Sequence, residues 1–183
     1  MEIETPRLLL RQFKKTDWKE VHEYAADPEV ARFMEWGPNT VDDTVDFVDM
    51  ALRHQKENPR SFFDFAVTLK DSGKLIGACG FRLHPVLVEQ AEIGYTYNRN
   101  YWRQGYGSEA CTAMIEVGFS KLDLHRMFAT CDANNAGSAG VLRKCGMRQE
   151  GHFVQDKKIK DKWRDTLLFA ILRSEWEQRA KRP

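Results

Sequence analysis

The side chain best placed for acid–base chemistry in this sequence is the carboxylate of Glu92. It alternates with Gly94 and Thr96, so a strand would carry all three on one face, where the small neighbours leave room for a substrate. A carboxylate beside such a space can take a proton from a bound molecule. Glu92 is therefore our candidate general base, and a solvent-exposed strand glutamate with no chemical role is the alternative.

A second candidate is the turn formed by the six residues Trp102-Arg103-Gln104-Gly105-Tyr106-Gly107. The N-terminus of a helix carries unpaired N–H groups and a partial positive charge, so a glycine turn leading into one can bind a pyrophosphate. The turn lacks the Gly-Lys-Ser/Thr of a Walker A loop, and Ala110 and Cys111 stand where a dinucleotide-binding turn would have its third glycine. A tight strand-to-helix turn without a ligand remains the alternative.

The elements around these residues follow from periodicity and from turn residues. Helices are predicted near 16–27, 40–56, 108–120 and 138–145. Strands are predicted at 7–13, 63–69, 75–81, 91–98, 125–132, 147–154 and 164–172, with a charged turn at 156–162. The alternation of strand and helix after residue 91 indicates that part of the sheet is parallel. We expect one domain that spans residues 1–183.

Composition excludes several classes of function. The chain has 183 residues and a net charge of +1, which gives no reason to expect a nucleic acid or a membrane surface as partner. Four widely spaced cysteines form no C-x-x-C pair and five histidines show no metal spacing, so we expect buried thiols and no metal. No apolar run is long enough to span a membrane and the N-terminus is acidic, so a cytoplasmic location is expected.

Together these features resemble the GNAT superfamily of N-acetyltransferases. Its phosphate loop reads Arg/Gln-x-x-Gly-x-Gly/Ala, and Gly105 and Gly107 match the last two fixed positions. Trp102 departs from the first position, but Tyr101-Trp102 is similar to the dipeptide that precedes the loop in the RimJ and RimL branch. Further matching fragments lie at residues 4–11, 75–77, 91–95, 135–138 and 144–147.

The resemblance implies a mixed, mostly antiparallel sheet of seven strands, splayed between the fourth and fifth and flanked by about four helices. It implies acetyl-CoA as donor, with its pantetheine arm in the splay. The coenzyme contacts would be the backbone of the fourth strand, the phosphate loop and the start of the last helix: Ile93, Tyr95, Tyr97, Arg103, Gln104, Gly105, Tyr106, Gly107, Ser108, Asn135 and Ser138.

The resemblance also implies the reaction, in which a primary amine attacks the acetyl group directly through a tetrahedral intermediate. Ser138 would be the acid near the coenzyme sulfur, because Leu142 stands where some members carry a proton-donating tyrosine. Asn135 and Ser138 can equally be ordinary residues of a helix N-terminus. Phe33 and Trp36 are expected to contact the acceptor.

The branch points to a protein N-terminal amine as acceptor. Three alternatives stay open: a small-molecule acceptor such as a polyamine, an amino acid or an aminoglycoside; a non-catalytic acyl-CoA-binding module, which the leucine at position 142 would suit; and a structural α/β domain. A homodimer is compatible with all of them.

Overall fold

The computed structural model describes residues 1–84 and 86–180, and these form one sheet with helices on its faces. The strands are β1 (Ile3–Glu4), β2 (Leu8–Arg11), β3 (Phe62–Leu69), β4 (Leu75–Leu83), β5 (Gln90–Tyr97), β6 (Arg126–Asp132), β7 (Arg148–Ile159) and β8 (Lys162–Leu172). The helices are α1 (Trp18–Ala25), α2 (Val41–His54), α3 (Tyr106–Lys121), α4 (Ala136–Lys144) and α5 (Arg173–Ala180).

The sheet has the strand order β1-β2-β3-β4-β5-β6-β8-β7, and β5 with β6 is its parallel pair. The predicted class, a mixed and mostly antiparallel sheet, is confirmed. The described residues contain one strand and one helix more than the seven strands and about four helices expected. The short β1 pairs with β2 as an eighth strand, and α5 is a fifth helix. The predicted splay between the fourth and fifth strands therefore lies between β5 and β6.

The splay is visible in the register of the parallel pair. Only Gln90–Glu92 of β5 pair with Arg126–Phe128 of β6, although both strands continue for several residues beyond. Past Glu92 the two strands separate, and the backbone of β5 that faces β6 has no strand partner. Glu92 thus lies where the fork begins.

Helix α3 starts earlier than the sequence pattern predicts, at Tyr106 and not at residue 108. Gly105 precedes it with φ +84°, a left-handed conformation that glycine adopts without steric cost. The buried side of α3 carries Ala110, Met114 and Val117, and it packs into the main core between the sheet and α4. Packing on this face fixes the direction in which the first turn of α3 points.

The β7–β8 hairpin is longer than predicted. Strand β7 continues to Ile159 and β8 begins at Lys162, so the turn is only Lys160 and Asp161, both with positive φ. The run of charges from 156 to 162 suggested a loop. It is instead a hairpin arm whose polar side chains face solvent, which is compatible with strand structure at an edge.

Candidate active site

The glycine turn enters α3 with its backbone N–H groups unpaired. Within residues 1–84 and 86–180, the N–H groups of Arg103, Gln104 and Gly105 have no hydrogen-bond acceptor, and the first turn of α3 adds further unpaired donors. Arg103 also has positive φ. The predicted loop residues therefore supply a set of unpaired donors at a helix N-terminus, which is a feature that suits a phosphate.

Arg7, which is distant in sequence, holds this turn in place. The Arg7 guanidinium donates to the carbonyl of Gln104 at 3.0 Å and to the Glu109 carboxylate at 2.7 Å, and it lies 4.4 Å from the centre of the Tyr106 ring. Burial alone would raise the pKa of Glu109, but hydrogen bonds from Thr5 and Arg7 lower it below its ordinary value. The N-terminal segment thus braces the loop.

Trp102 has a defined role in the structure. Its indole N–H donates to the carbonyl of Tyr97 at 2.8 Å, although 44% of the residue is exposed. The bond satisfies the last carbonyl of β5 and fixes the path from β5 into the loop.

The fork leaves the predicted coenzyme-facing strand without a neighbouring strand on one edge. Ile93, Tyr95 and Tyr97 all lie in β5 beyond the last residue paired with β6, so their peptide groups on that edge have no strand partner. Gly107 sits close to the same region, since an added Cβ would lie 3.4 Å from the Tyr97 ring and 3.4 Å from Val141. Glycine at 107 lets β5, α3 and α4 approach each other.

Helix α4 brings Ser138 to the fork. The Asn135 side chain accepts from the Ser138 N–H at 3.0 Å as an N-cap, and the Ser138 hydroxyl lies 3.0 Å from the Tyr95 hydroxyl. Burial raises the pKa of Tyr95 far above its ordinary value, so the phenol stays protonated. Leu142 is fully buried in the core, and Tyr95 supplies a phenol beside α4 from the strand instead.

The Glu92 carboxylate is held from both sides of the fork. Arg82, directly opposite on β4, donates to Oε2 at 2.9 Å, and the Thr130 hydroxyl of β6 donates to Oε1 at 3.3 Å. A carboxylate offers about four lone-pair positions. Two therefore remain for a bound amine or a water molecule.

A cleft of about 1110 Å³ opens beside Glu92. Its floor includes the three residues predicted to share a face, Glu92, Gly94 and Thr96, and α1 and α2 form its walls. A smaller cleft of about 280 Å³ lies on the other side of Glu92 and is lined by Phe33, Trp36 and Cys131. Trp36 borders both clefts, so the predicted acceptor contacts lie next to the candidate base.

The structure thus brings the predicted residues together around one fork, with the loop at one end and Glu92 at the other. A comparison of the sequence with known protein families identifies the family to which this arrangement belongs. The profile of the acetyltransferase (GNAT) domain family matches residues 7–148. The chain belongs to the GNAT acetyltransferase family.

Similar sequences and similar solved structures support this family assignment. The chain is similar to the uncharacterized N-acetyltransferase YnaD of Bacillus subtilis, with 38% identity over 96% of this chain and 99% of YnaD. A GNAT acetyltransferase structure from Bacillus anthracis superimposes with a TM-score of 0.84 at 36% identity, covering 95% and 99% of the two chains. The RimL ribosomal L7/L12 acetyltransferase in complex with coenzyme A has the same fold, with a TM-score of 0.83, 18% identity and coverage of 94% and 98%.

This GNAT protein is an N-acetyltransferase, and its structural neighbours include ribosomal-protein acetyltransferases. The four cysteines are buried free thiols, as expected. In the part of the chain that the structure describes, no helix is long and apolar enough to cross a membrane.

The sequence did not reveal three contributors to the site: Arg7, Arg82 and Tyr95 as a side-chain partner of Ser138. Arg82 lies one residue beyond the predicted strand 75–81, and its pairing with Glu92 depends on the register of β4 and β5, which no local pattern indicates. The Arg7–Glu109 contact joins residues 102 positions apart, and no local pattern indicates it.

Proposed function

We propose that this GNAT enzyme transfers the acetyl group of acetyl-CoA to the N-terminal α-amine of a protein, with Glu92 as general base. The observation that carries the proposal is the position of Glu92. It lies at the start of the β5–β6 fork and also lines the large cleft. A donor bound in the fork and an acceptor bound in the cleft would meet there.

The coenzyme side of the proposal rests on backbone groups. Acetyl-CoA, when bound, supplies the acetyl group as an activated thioester. The unpaired N–H groups of Arg103, Gln104 and Gly105 suit its pyrophosphate, and the edge of β5 at Ile93 and Tyr95, which has no strand partner, suits its amide-containing arm. A backbone N–H on that edge is the simplest donor to the oxyanion of the tetrahedral intermediate.

The acceptor side of the proposal rests on the Glu92 carboxylate and on the volume of the cleft beside it. A primary amine is mostly protonated at neutral pH and must lose a proton before it attacks. The two unused lone-pair positions of the Glu92 carboxylate can accept that proton, directly or through water. The cleft of about 1110 Å³ is large enough to receive the end of a polypeptide.

One assay tests the proposal. The protein is incubated with acetyl-CoA and a panel of N-terminal peptides, polyamines and aminoglycosides, and free coenzyme A thiol is followed. We expect thiol release with peptides that have a free N-terminus and none with the same peptides carrying an acetylated N-terminus. Release with polyamines alone would favour the small-molecule alternative, and binding of acetyl-CoA without any release would indicate a non-catalytic module.

The same assay tests Ser138 as the proton donor to the departing thiolate. Ser138→Ala is expected to slow thiol release by about two orders of magnitude, the lower end of the range that general acid–base catalysis contributes. Ser120→Ala is the matched control, because Ser120 is exposed on α3 and bonds only the Glu116 carbonyl. A rate for Ser138→Ala equal to that of the control would reduce Ser138 to a residue of the helix N-terminus.

A further inference from the structure

The floor of the large cleft connects Glu92 with a second carboxylate on β3. In the antiparallel register, Asp64 lies opposite Gly80 and Gly80 lies opposite Gly94, so the three share one face in a row across β3, β4 and β5. Glu92 lies on the same face, two residues along β5. With strands about 4.8 Å apart and about 3.4 Å per residue, the two carboxylate-bearing positions are roughly 12 Å apart.

The positions between these carboxylates, Gly80 and Gly94, carry no side chain. Glycine occupies the two positions for different reasons. At Gly80 an added Cβ would lie 2.4 Å from the Phe63 carbonyl, so the backbone of β3 requires glycine. At Gly94 an added Cβ would meet no atom within 4 Å, and φ is not in the left-handed region. Neither packing nor conformation requires glycine at 94, and its effect is to leave the floor of the cleft clear.

One oxygen of the Asp64 carboxylate is hydrogen-bonded and the other is not. His54 Nδ1 of α2 lies 3.0 Å from Asp64 Oδ2, and the His54 ring is stacked on Phe62 with centroids 4.1 Å apart. In the described part of the chain Oδ1 has no hydrogen-bond partner, and the side chain is 31% exposed. One oxygen is therefore held while the other remains available to a ligand.

The charge of the cleft favours a cation. Four carboxylates and two guanidinium groups line it, which leaves two negative charges in excess among the lining groups, although Arg60 outside the lining also interacts electrostatically with Asp64. Arg82 is already paired with Glu92. The lining groups are Asp43, Asp46, Asp64, Glu92, Arg53 and Arg82. Electrostatic attraction across this partly enclosed space favours an acceptor with more than one positive charge.

The opposite wall of the cleft is formed in part by Tyr24 of α1, which is only 3% exposed. Among the described residues its hydroxyl has no hydrogen-bond partner, and an ordered water is the usual partner of such a buried group. Burial raises the pKa of Tyr24 above its ordinary value, so the hydroxyl keeps its proton and this wall adds no negative charge to the cleft.

We propose that Asp64 is a specificity-determining residue that binds a second positive charge on the acceptor, while the reacting amine lies at Glu92. This inference rests on the proposed function. An extended chain covers about 3.3–3.6 Å per residue, so roughly 12 Å corresponds to a basic side chain within the first three or four residues of a peptide. A polyamine could offer the same pair of charges, and the experiment separates the two sources.

The test compares hexapeptides that differ only at the third residue, which is Lys, Gln or Glu, and adds spermidine and hexylamine as a second pair. We expect kcat/KM for the Lys peptide to exceed that for the Gln peptide about tenfold, mainly through KM, with the Glu peptide lower still. In Asp64→Asn the Lys/Gln ratio should fall to near one. Asp42→Asn is the matched control, because Asp42 is exposed on α2 outside the cleft and should leave the ratio unchanged.

Other outcomes separate this inference from the proposed function. Equal rates for the Lys and Gln peptides, or a ratio that Asp64→Asn does not change, would overturn the role of Asp64 while N-terminal acetylation stands. Acetylation of spermidine but of no peptide, with spermidine preferred over hexylamine in the wild type only, would overturn the peptide acceptor and support Asp64. Should Asp64→Asn fail to fold, as judged by thermal melting, Gly94→Val must lower the ratio instead, because its Cβ meets no protein atom but its side chain blocks the row that leads from Glu92 to Asp64.

Discussion

Gly105→Val is expected to lower the affinity for acetyl-CoA by at least about a hundredfold. Gly105 has φ +84°, which a β-branched residue adopts only with strain, so the valine would displace the turn that aims the N–H groups of Arg103, Gln104 and Gly105. Its side chain would also press on Arg7, whose guanidinium would lie 3.3 Å from the new Cβ. Isothermal titration with acetyl-CoA measures the loss.

A matched substitution separates loss of the binding loop from loss of the fold. Gly73 also has positive φ, +70°, but it lies in the turn between β3 and β4, and an added Cβ would meet no atom within 4 Å. Gly73→Val therefore imposes similar backbone strain away from the loop, and it should lower the melting temperature with little change in affinity. Retained affinity in folded Gly105→Val would show that the pyrophosphate binds elsewhere.

The sequence allowed the prediction of those parts of the site that local pattern determines. Alternation in β5 placed Glu92, Gly94 and Thr96 on one face, and the structure has all three on the floor of one cleft. The two glycines marked the entry into α3, although the helix begins at Tyr106. Such features depend on a few neighbouring residues, whose backbone preferences are readable from residue type.

The parts that could not be predicted depend on register and on long-range packing. The Arg82–Glu92 pair requires β4 and β5 to align at one particular register, and a shift by one residue would place Arg82 on the other face. Asp64 reaches the same cleft only through two such alignments. The length of β7 was missed because its polar residues face solvent at the sheet edge.

Glu92→Gln tests the proposed chemistry and is expected to lower kcat about a hundredfold or more at pH 7, with affinity for acetyl-CoA retained. Glutamine has nearly the same shape, and its amide oxygen can still accept from Arg82 or Thr130, so the fork should keep its geometry. What is lost is the group that takes a proton from the acceptor, a contribution of about two to four orders of magnitude. Glu116→Gln, at an exposed position on α3, is the control.

The pH dependence of this variant distinguishes a base from a group that merely orients the acceptor. Without a base the reaction must draw on amine that is already neutral in solution, and an α-amine has a pKa of about 7.7–8.0. For such a pKa the neutral fraction rises about six- to tenfold between pH 7 and pH 9, so the deficit of Glu92→Gln relative to wild type should narrow by about that factor. A deficit that is constant with pH would mean that Glu92 positions the acceptor and that another group, or water, takes its proton.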